Sequence, residues 1–196
     1  MIRLLLDSSG RDLSVAIAHQ NRIIKSVSYA AWQQQSELLV PEIKRLIASS
    51  AYDFQHIEAV HVASGPGSYT GVRIALTVAK IIGFALKVPV YAASSLEILK
   101  VSNQPTICLI NARSKRSYFG VYEGDKAIVC DTIKTNEEVF DYIHQHPDYA
   151  LSGDLEYLGL TPKKTDIFLN LLLTQYHREP ISDIHALKPM YLKDNL

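Results

Sequence analysis

The part of the sequence best suited to chemistry is the glycine-rich segment SGPGSYTGVR, residues 64–73. An apolar run precedes it, and a long segment rich in Ala, Leu and Ile follows it, which predicts a strand, a tight loop and a helix. In such a loop Gly65 and Gly67 can adopt positive φ, while Ser68 or Thr70 can cap the helix. Because the free N–H groups of a first helical turn attract anions, the loop is a candidate phosphate contact.

Two well-known phosphate motifs do not match this loop. No Gly-Lys-Ser/Thr closes it, and its glycines are spaced G-x-G-x-x-x-G instead of G-x-G-x-x-G. The residues leave two interpretations open, an anion-binding loop and a turn that only joins a strand to a helix.

The helix predicted after the loop has more apolar surface than contact with one sheet requires. At about 100° per residue, its polar side chains form one narrow stripe: Arg73, Thr77, Lys80 and Lys87. The residues opposite that stripe suit a sheet: Ala75, Val78, Ile82 and Leu86. The two remaining flanks are Val72, Leu76, Ala79 and Gly83 on one side, and Ile74, Ile81 and Ala85 on the other. Either neighbouring helices or a protein partner must cover them, since large exposed apolar patches mark interfaces.

Composition limits the classes of protein to consider. The chain has 196 residues, is 47% hydrophobic, and balances 20 basic against 20 acidic residues. It can therefore bury a large core, and it has no overall positive field to attract nucleic acid without a partner. Cys108 and Cys130 lie in apolar, strand-like runs without CxxC spacing, which favours reduced thiols in the core. No segment reaches the roughly 18 charge-free apolar residues of a membrane span, so we expect a cytoplasmic protein that does not contact membranes.

The order of elements repeats once along the chain. Apolar alternation predicts strands at 2–6, 13–18 and 23–29, then a helix that Ser36 could cap, interrupted or kinked at Pro41. The strand, glycine loop and long helix follow. The second half predicts strands at 106–111, 117–122 and 126–132, a helix from Thr135, a strand at 149–152 and a helix at 166–176. This βββαβα order, present twice, predicts an α/β fold of two related lobes, residues 1–100 and 101–196.

Several short motifs together resemble one family. They are LDSS at 6–9, SVAI at 14–17, QSELLVP at 35–41, the glycine loop at 64–73, INAR at 110–113 with Tyr118, and PMYLK at 189–193. This set resembles the TsaB (YeaZ) family over nearly the whole chain. The resemblance implies the actin-like, sugar-kinase-like ATPase fold of two related lobes, in agreement with the duplicated order.

The resemblance also implies a function. TsaB proteins act in making threonylcarbamoyladenosine next to the tRNA anticodon, as non-catalytic scaffold paralogues that bind and support the transferase TsaD, with the ATPase TsaE joining them. It implies that this chain needs no cofactor of its own, that the complex uses ATP, that tRNA is reached only through the complex, and that the isolated chain could form a homodimer. We expect the partner interface on the long N-lobe helices, at Leu39, Ile43, Val72, Leu76, Ala79 and Gly83.

The residues allow a check on the non-catalytic role. In TsaD proteins an Asn-His-x-Glu-x-His motif, whose histidines hold the metal, follows the equivalent helix. Here Ser94, Ser95, Glu97 and Leu99 stand at the four positions, so both histidines are missing. A hydroxyl and a leucine cannot replace two imidazoles, and we predict neither a catalytic residue nor a metal site.

An independent small ATPase or kinase of the same fold is the alternative. Asp7 could bind hydrated Mg²⁺ in its strand-turn, which makes Asp7, Ser9, Gly65, Gly67 and Ser68 the candidate nucleotide contacts. Against it, the second lobe offers only a Gly-Asp pair, at 153–154, where such ATPases have a glycine-rich loop. The chain also departs from the usual family pattern at Gln35, where a histidine is common, and at Asn111, where an aspartate is common.

Overall fold

Two mixed β-sheets form the framework of the chain, and the computed structural model describes residues 1–31 and 33–192. The first sheet has the order β3-β2-β1-β4-β5 and the second the order β8-β7-β6-β9. The strands of the first are β1 (Ile2–Asp7), β2 (Asp12–His19), β3 (Arg22–Ala30), β4 (Ile57–Ala63) and β5 (Val90–Ala93). Those of the second are β6 (Thr106–Arg113), β7 (Arg116–Glu123), β8 (Lys126–Thr135) and β9 (Ala150–Gly153).

The two sheets share one topology. In each, the first three strands are antiparallel and a later strand pairs in parallel with the first, β4 on β1 and β9 on β6. The helices are α1 (Gln35–Ala48), α2 (Tyr69–Leu86), α3 (Asn136–Gln145) and α4 (Ile167–Leu173). The predicted βββαβα order is therefore confirmed in both halves, with β5 as an addition to the first.

Local sequence signals explain most of the helix boundaries. Thr135 and Glu138 form the capping box that starts α3: the Thr135 side chain accepts from the Glu138 N–H, and the Glu138 carboxylate accepts from the Thr135 N–H. The expected cap at Ser36 is wrong, because Gln34 occupies the N-cap position of α1 and makes no side-chain cap bond. Pro41 lies inside α1, which continues through it.

The first sheet is covered on both faces, and one of the covering helices, α4, comes from the second half of the chain. The alternating side chains of β1 enter different clusters, Leu4 and Leu6 with α1 and α2 on one face, and Leu5 with α4 on the other. The division at residue 100 separates the two sheets. The second lobe predicted for residues 101–196 is nevertheless incomplete as a unit, because α4 packs on β1 and β4 of the first sheet.

Helix α2 has the length and apolar composition to cross a membrane, alone among the helices in the described part of the chain. However, 39% of it is buried, and a core helix satisfies the same test. The cysteines differ from each other: Cys108 is buried in β6, whereas Cys130 is exposed on β8, so the expectation that both lie in the core holds only for Cys108.

His61, in the middle of β4, is a buried polar residue that the sequence did not single out. Its Nδ1 lies 3.1 Å from the carbonyl oxygen of Leu171, so Nδ1 carries a proton and donates it. The ring stacks on Tyr91 with centroids 4.9 Å apart. Burial, with the nearby positive charge of Arg3, lowers the pKa of His61 to about 4. His61 is therefore neutral in the folded chain at neutral pH.

This neutral histidine should make the fold sensitive to acid. Unfolding restores the ordinary histidine pKa of 6.5. Between pH 6.5 and about pH 4 the unfolded chain therefore binds a proton at His61 that the folded chain does not bind. The His61 contribution is complete above pH 6.5 and should fall by up to about 3 kcal/mol by pH 4, at about 1.4 kcal/mol per pKa unit. Urea unfolding at several pH values measures it.

The matched variants are His61→Gln, which should remove this part of the pH dependence, and His144→Gln at an exposed position, which should keep it. The prediction would be contradicted if the free energies of unfolding of the parent protein and of His61→Gln changed in parallel between pH 4 and 7.

Candidate functional site

The glycine loop joins β4 to α2 and packs directly on the β1–β2 turn. Gly67 has φ +155°, and a Cβ at that position would overlap the backbone carbonyl of Ser9. Gly65 has φ +101°, and its Cβ would lie 2.8 Å from the carbonyl oxygen of Met190. Both glycines thus meet the chain's own backbone, from the first turn on one side and from the C-terminal segment on the other.

The polar groups of the loop bond to other parts of the chain. The Ser68 N–H donates to the Ser9 carbonyl at 2.6 Å, and the Ser68 hydroxyl caps α2 by accepting from the Gly71 N–H at 3.2 Å. The Gly65 N–H donates to the Ser95 hydroxyl at 3.1 Å. These N–H groups, which an anion would need, are engaged within the chain.

Asp7 stands at the end of β1, beside this loop. Its carboxylate accepts the Ser9 N–H at 2.8 Å, and burial raises its pKa. The structure therefore brings together the five candidate nucleotide contacts, Asp7, Ser9, Gly65, Gly67 and Ser68. Within residues 1–31 and 33–192, no group of three His, Cys, Asp or Glu side chains is arranged to hold a metal ion.

The contacts between the β1–β2 turn and the segment that follows β9 are weak. Arg11, in the β1–β2 turn, lies 3.9 Å from Glu156, and both side chains are exposed, so the pair contributes little to stability. Burial raises the pKa of Asp154, and the charge of Arg11 partly opposes that rise. Asn111 accepts the Arg113 N–H at 2.8 Å, which an aspartate at this position would also do.

Residues 94–99, where the resemblance to TsaD proteins places the missing metal motif, form a junction between the lobes. This junction forms a short 3₁₀ turn at Glu97–Leu99. The Ser94 hydroxyl bonds the Asp131 carboxylate of β8, which also accepts from the Tyr122 hydroxyl. Burial raises the pKa values of both Asp131 and Tyr122.

Glu97 is buried in this junction and binds the segment that follows α4. Its carboxylate accepts from His177 Nε2 at 2.9 Å and from an Arg178 guanidinium N–H at 2.5 Å. The imidazole also lies 3.5 Å from Asp125, in the β7–β8 turn. The glutamate of the motif thus has a structural role, and its two partners come from about 80 residues later, which no spacing rule in the sequence indicates.

The predicted interface residues are not on the surface. All six are buried inside the lone chain: Leu39, Ile43, Val72, Leu76, Ala79 and Gly83. They belong to the core that α1 and α2 form on the first sheet. The assignment of this flank to a partner is wrong, because the sheet, α1 and the C-terminal segment already cover it.

The other flank of α2 is the exposed one. Ile81 is 60% and Phe84 65% exposed, and Ala85 is exposed beside them. Val40 of α1 is also exposed, at 42%. We call Ile81, Phe84 and Ala85 the α2 face.

The C-terminal segment, residues 181–192, lies along α2 as an irregular strap. Its sequence predicts no regular element. The Met190 N–H donates to the Ser64 carbonyl at 2.7 Å, and Lys80 Nζ donates to the carbonyl of His185 at 3.0 Å. Tyr191 stacks on Tyr69 with centroids 5.3 Å apart. Lys193, the last residue of the PMYLK motif, lies outside the described residues.

Comparisons with known proteins agree on one group. The family model described as "TsaD: tRNA N6-adenosine threonylcarbamoyltransferase" matches residues 27–164. The chain is 32% identical over 127 residues to the tRNA threonylcarbamoyladenosine biosynthesis protein TsaB of Bacillus subtilis, covering 63% of this chain and 56% of that one. It is 30% identical over 131 residues to TsaB of Buchnera aphidicola from Acyrthosiphon pisum, covering 64% and 59%. The alignments thus span less than two thirds of these relatives.

Among solved structures, YeaZ from Pseudomonas aeruginosa superposes with a TM-score of 0.81 at 24% identity, over 97% of this chain and 99% of that one. This likeness concerns the fold. With the strand orders above, it confirms the predicted α/β architecture of two related lobes.

The close contact at Gly67 gives a stability prediction. Gly67→Ala should lower the free energy of unfolding by roughly 1–3 kcal/mol through backbone strain and by a further 1–3 kcal/mol through overlap with the Ser9 carbonyl. The matched control is Gly124→Ala, where φ is +55° but nothing lies within 4 Å of the new Cβ, so only strain applies. Denaturant unfolding compares them.

Equal losses for the two variants would show that the Ser9 contact does not matter. A Gly67→Ala protein that unfolds like the parent but no longer binds a nucleotide would instead favour the anion-binding loop.

Proposed function

This chain belongs to the family that the TsaD model describes, within it to the TsaB (YeaZ) group, and on that premise we propose that it acts in the biosynthesis of threonylcarbamoyladenosine in tRNA. Its role there is that of a non-catalytic subunit in the cytoplasm. It binds a TsaD-type transferase, which a TsaE-type ATPase joins. It needs no cofactor, and ATP is used by the complex.

The exposed α2 face carries this proposal. Two large apolar side chains of α2, Ile81 and Phe84, are 60% and 65% exposed, although the side of this helix that faces the sheet is part of the core. Apolar side chains of this size cluster at protein interfaces, where burying them contributes about 25 cal/mol per Å². A partner helix packed along α2 would cover them, and in the isolated chain a second copy could do so.

The residues at the missing metal motif and in the glycine loop support a non-catalytic role. Ser95 and Leu99 cannot ligate a metal as two histidines would, and Ser95 instead bonds the glycine loop. The N–H groups of Gly65 and Ser68 are also engaged within the chain. Since basic and acidic residues balance at 20 each, contact with tRNA is assigned to the complex as a whole.

Reconstitution tests the role. We expect modified tRNA only when this chain is combined with the TsaD-type and TsaE-type proteins of the same genome, tRNA, ATP and the threonylcarbamoyl-adenylate-forming step. The chain alone should produce no modified nucleoside by mass spectrometry. Modification by the chain alone, or an unchanged rate in its absence, would contradict the proposal, and steady ATP turnover by the chain alone would favour an independent ATPase.

The position of the interface has its own test. Ile81→Arg should prevent co-purification with the TsaD-type protein and leave the lone chain folded, because a charge forced unpaired into an interface typically costs several kcal/mol. Ile128→Arg is the matched control, an isoleucine 44% exposed on β8 of the other lobe, and it should bind normally. Ala79→Arg should unfold the chain, since Ala79 is buried.

For the three variants, circular dichroism measures whether the chain is folded, and light scattering measures whether it forms the complex. An Ile81→Arg protein that is folded and still forms the complex would place the interface elsewhere.

A further inference from the structure

His177 lies between two carboxylates that belong to different parts of the chain. Its Nε2 is 2.9 Å from Oε1 of Glu97, in the junction, and its Nδ1 is 3.5 Å from Oδ1 of Asp125, in the β7–β8 turn. We propose that His177 is a pH-sensitive switch: its protonated ring holds the β7–β8 turn, residues 123–126, on the junction, and its neutral ring releases the turn. This inference goes beyond the proposed function and does not depend on it.

Only the protonated ring of His177 suits both neighbours. A neutral imidazole has an N–H on one nitrogen and a lone pair on the other, whereas an imidazolium has an N–H on both. With Nε2 donating to Glu97, a neutral ring directs the lone pair of Nδ1 toward the Asp125 carboxylate, which is repulsive. Protonation turns this repulsion into an ion pair. Histidine is also the side chain whose charge commonly changes between pH 5 and 8.

The backbone holds His177 on the side of the first sheet. The N–H groups of His177 and Arg178 both donate to the Thr174 carbonyl, at 3.2 and 2.9 Å. Thr174 directly follows α4 and is buried, and its hydroxyl donates to the Leu171 carbonyl at 2.7 Å. Because α4 packs on β1 and β4, His177 belongs to the first sheet, whereas the β7–β8 turn belongs to the second.

Each of the two carboxylates also has a permanent cation beside it. Glu97 accepts from the Arg178 guanidinium, and Asp125 accepts from Lys100 Nζ at 3.4 Å. Glu97 and Lys100 are buried, so their charges are poorly screened by water. These four charges balance without His177.

Asp131, deeper in the junction, disturbs that balance. Its carboxylate accepts from the hydroxyls of Ser94 and Tyr122, and its pKa is raised by burial and then by the negative charge of Glu97. Burial also raises the pKa of Tyr122, which therefore stays protonated. An ionised Asp131 adds a third negative charge to the site, and a protonated His177 restores the balance.

The movement on release is confined to the β7–β8 turn. Leu96 of the junction packs with Tyr122 of β7, a contact that does not involve the histidine ring. The other charged residues of the turn, Glu123 and Lys126, are exposed and lie opposite each other across the β7–β8 ladder. Asp125 is 63% exposed, and exposed ion pairs contribute little to stability, so the expected effect is modest.

NMR spectroscopy on the full chain, labelled with ¹⁵N, tests the switch. Near pH 5.5 both ring nitrogens of His177 should carry protons, and by about pH 8 Nδ1 should have lost its proton while Nε2 keeps the one that Glu97 accepts. The amide signals of residues 123–126 should change with the same midpoint. Their protection against hydrogen exchange, corrected for the intrinsic pH dependence of exchange, should fall about two- to fivefold.

Three variants assign the response. His177→Gln keeps a side-chain N–H for Glu97 but has no charge to gain, so the turn signals should no longer change with pH. Asp125→Asn should also separate the turn from the titration of His177, and it lies at an exposed position where loss of the fold is not expected. His144→Gln, at an exposed histidine of α3, is the matched control and should keep the full response. Circular dichroism checks the fold of each.

Turn signals that do not follow the titration of His177 would overturn the inference. An unchanged response in His177→Gln would also overturn it, because the response would then belong to another group, such as Asp131. Should His177→Gln fail to fold, Asp125→Asn decides alone, and a full response in that variant contradicts the switch. None of these measurements involves tRNA or a partner protein, so failure of the switch leaves the proposed function standing.

Discussion

The contact between the β1–β2 turn and the glycine loop is the constraint on which the rest of the structure depends. The Ser9 carbonyl accepts the Ser68 N–H at 2.6 Å, and the Ser8 hydroxyl donates to the Gly71 carbonyl at 2.7 Å, so the first turn of α2 is attached to the end of β1. This close approach requires glycine at 67, because any Cβ there overlaps Ser9. It sets where α2 begins, and thereby which of its side chains face the sheet, the strap and solvent.

The glycine loop and the segment at 94–99 use their polar groups to hold the folded chain together. Groups that could contact a phosphate or a metal bond to distant parts of the chain instead: Gly65 to Ser95, and Glu97 to His177 and Arg178. These contacts join the glycine loop and the segment that follows α4 to residues 94–99. Buried polar groups need such partners, because leaving them unpaired costs about 1–3 kcal/mol each. The polar groups thus stabilise the folded arrangement, while the apolar α2 face remains exposed.

The strap and α2 are fixed to each other. Lys80 Nζ donates to the carbonyls of His185 and Leu187, and the Met190 N–H donates to the Ser64 carbonyl. The strap therefore covers part of α2, while Ile81 and Phe84 remain 60% and 65% exposed.

The sequence by itself determined the order of the elements and hence the fold, because period-two alternation and the capping box at Thr135 are local signals. It also determined that α2 has more apolar surface than packing on one sheet requires. Only the tertiary structure decided which flank is exposed, since periodicity shows which residues share a face but not what covers that face. The strap, with no regular period, is held by backbone bonds such as Met190 N–H to Ser64, and α4 crosses to the first sheet by long-range packing of Leu171 and Leu172. Neither contact leaves a local pattern, so the burial of Ala79 emerged only from the folded chain.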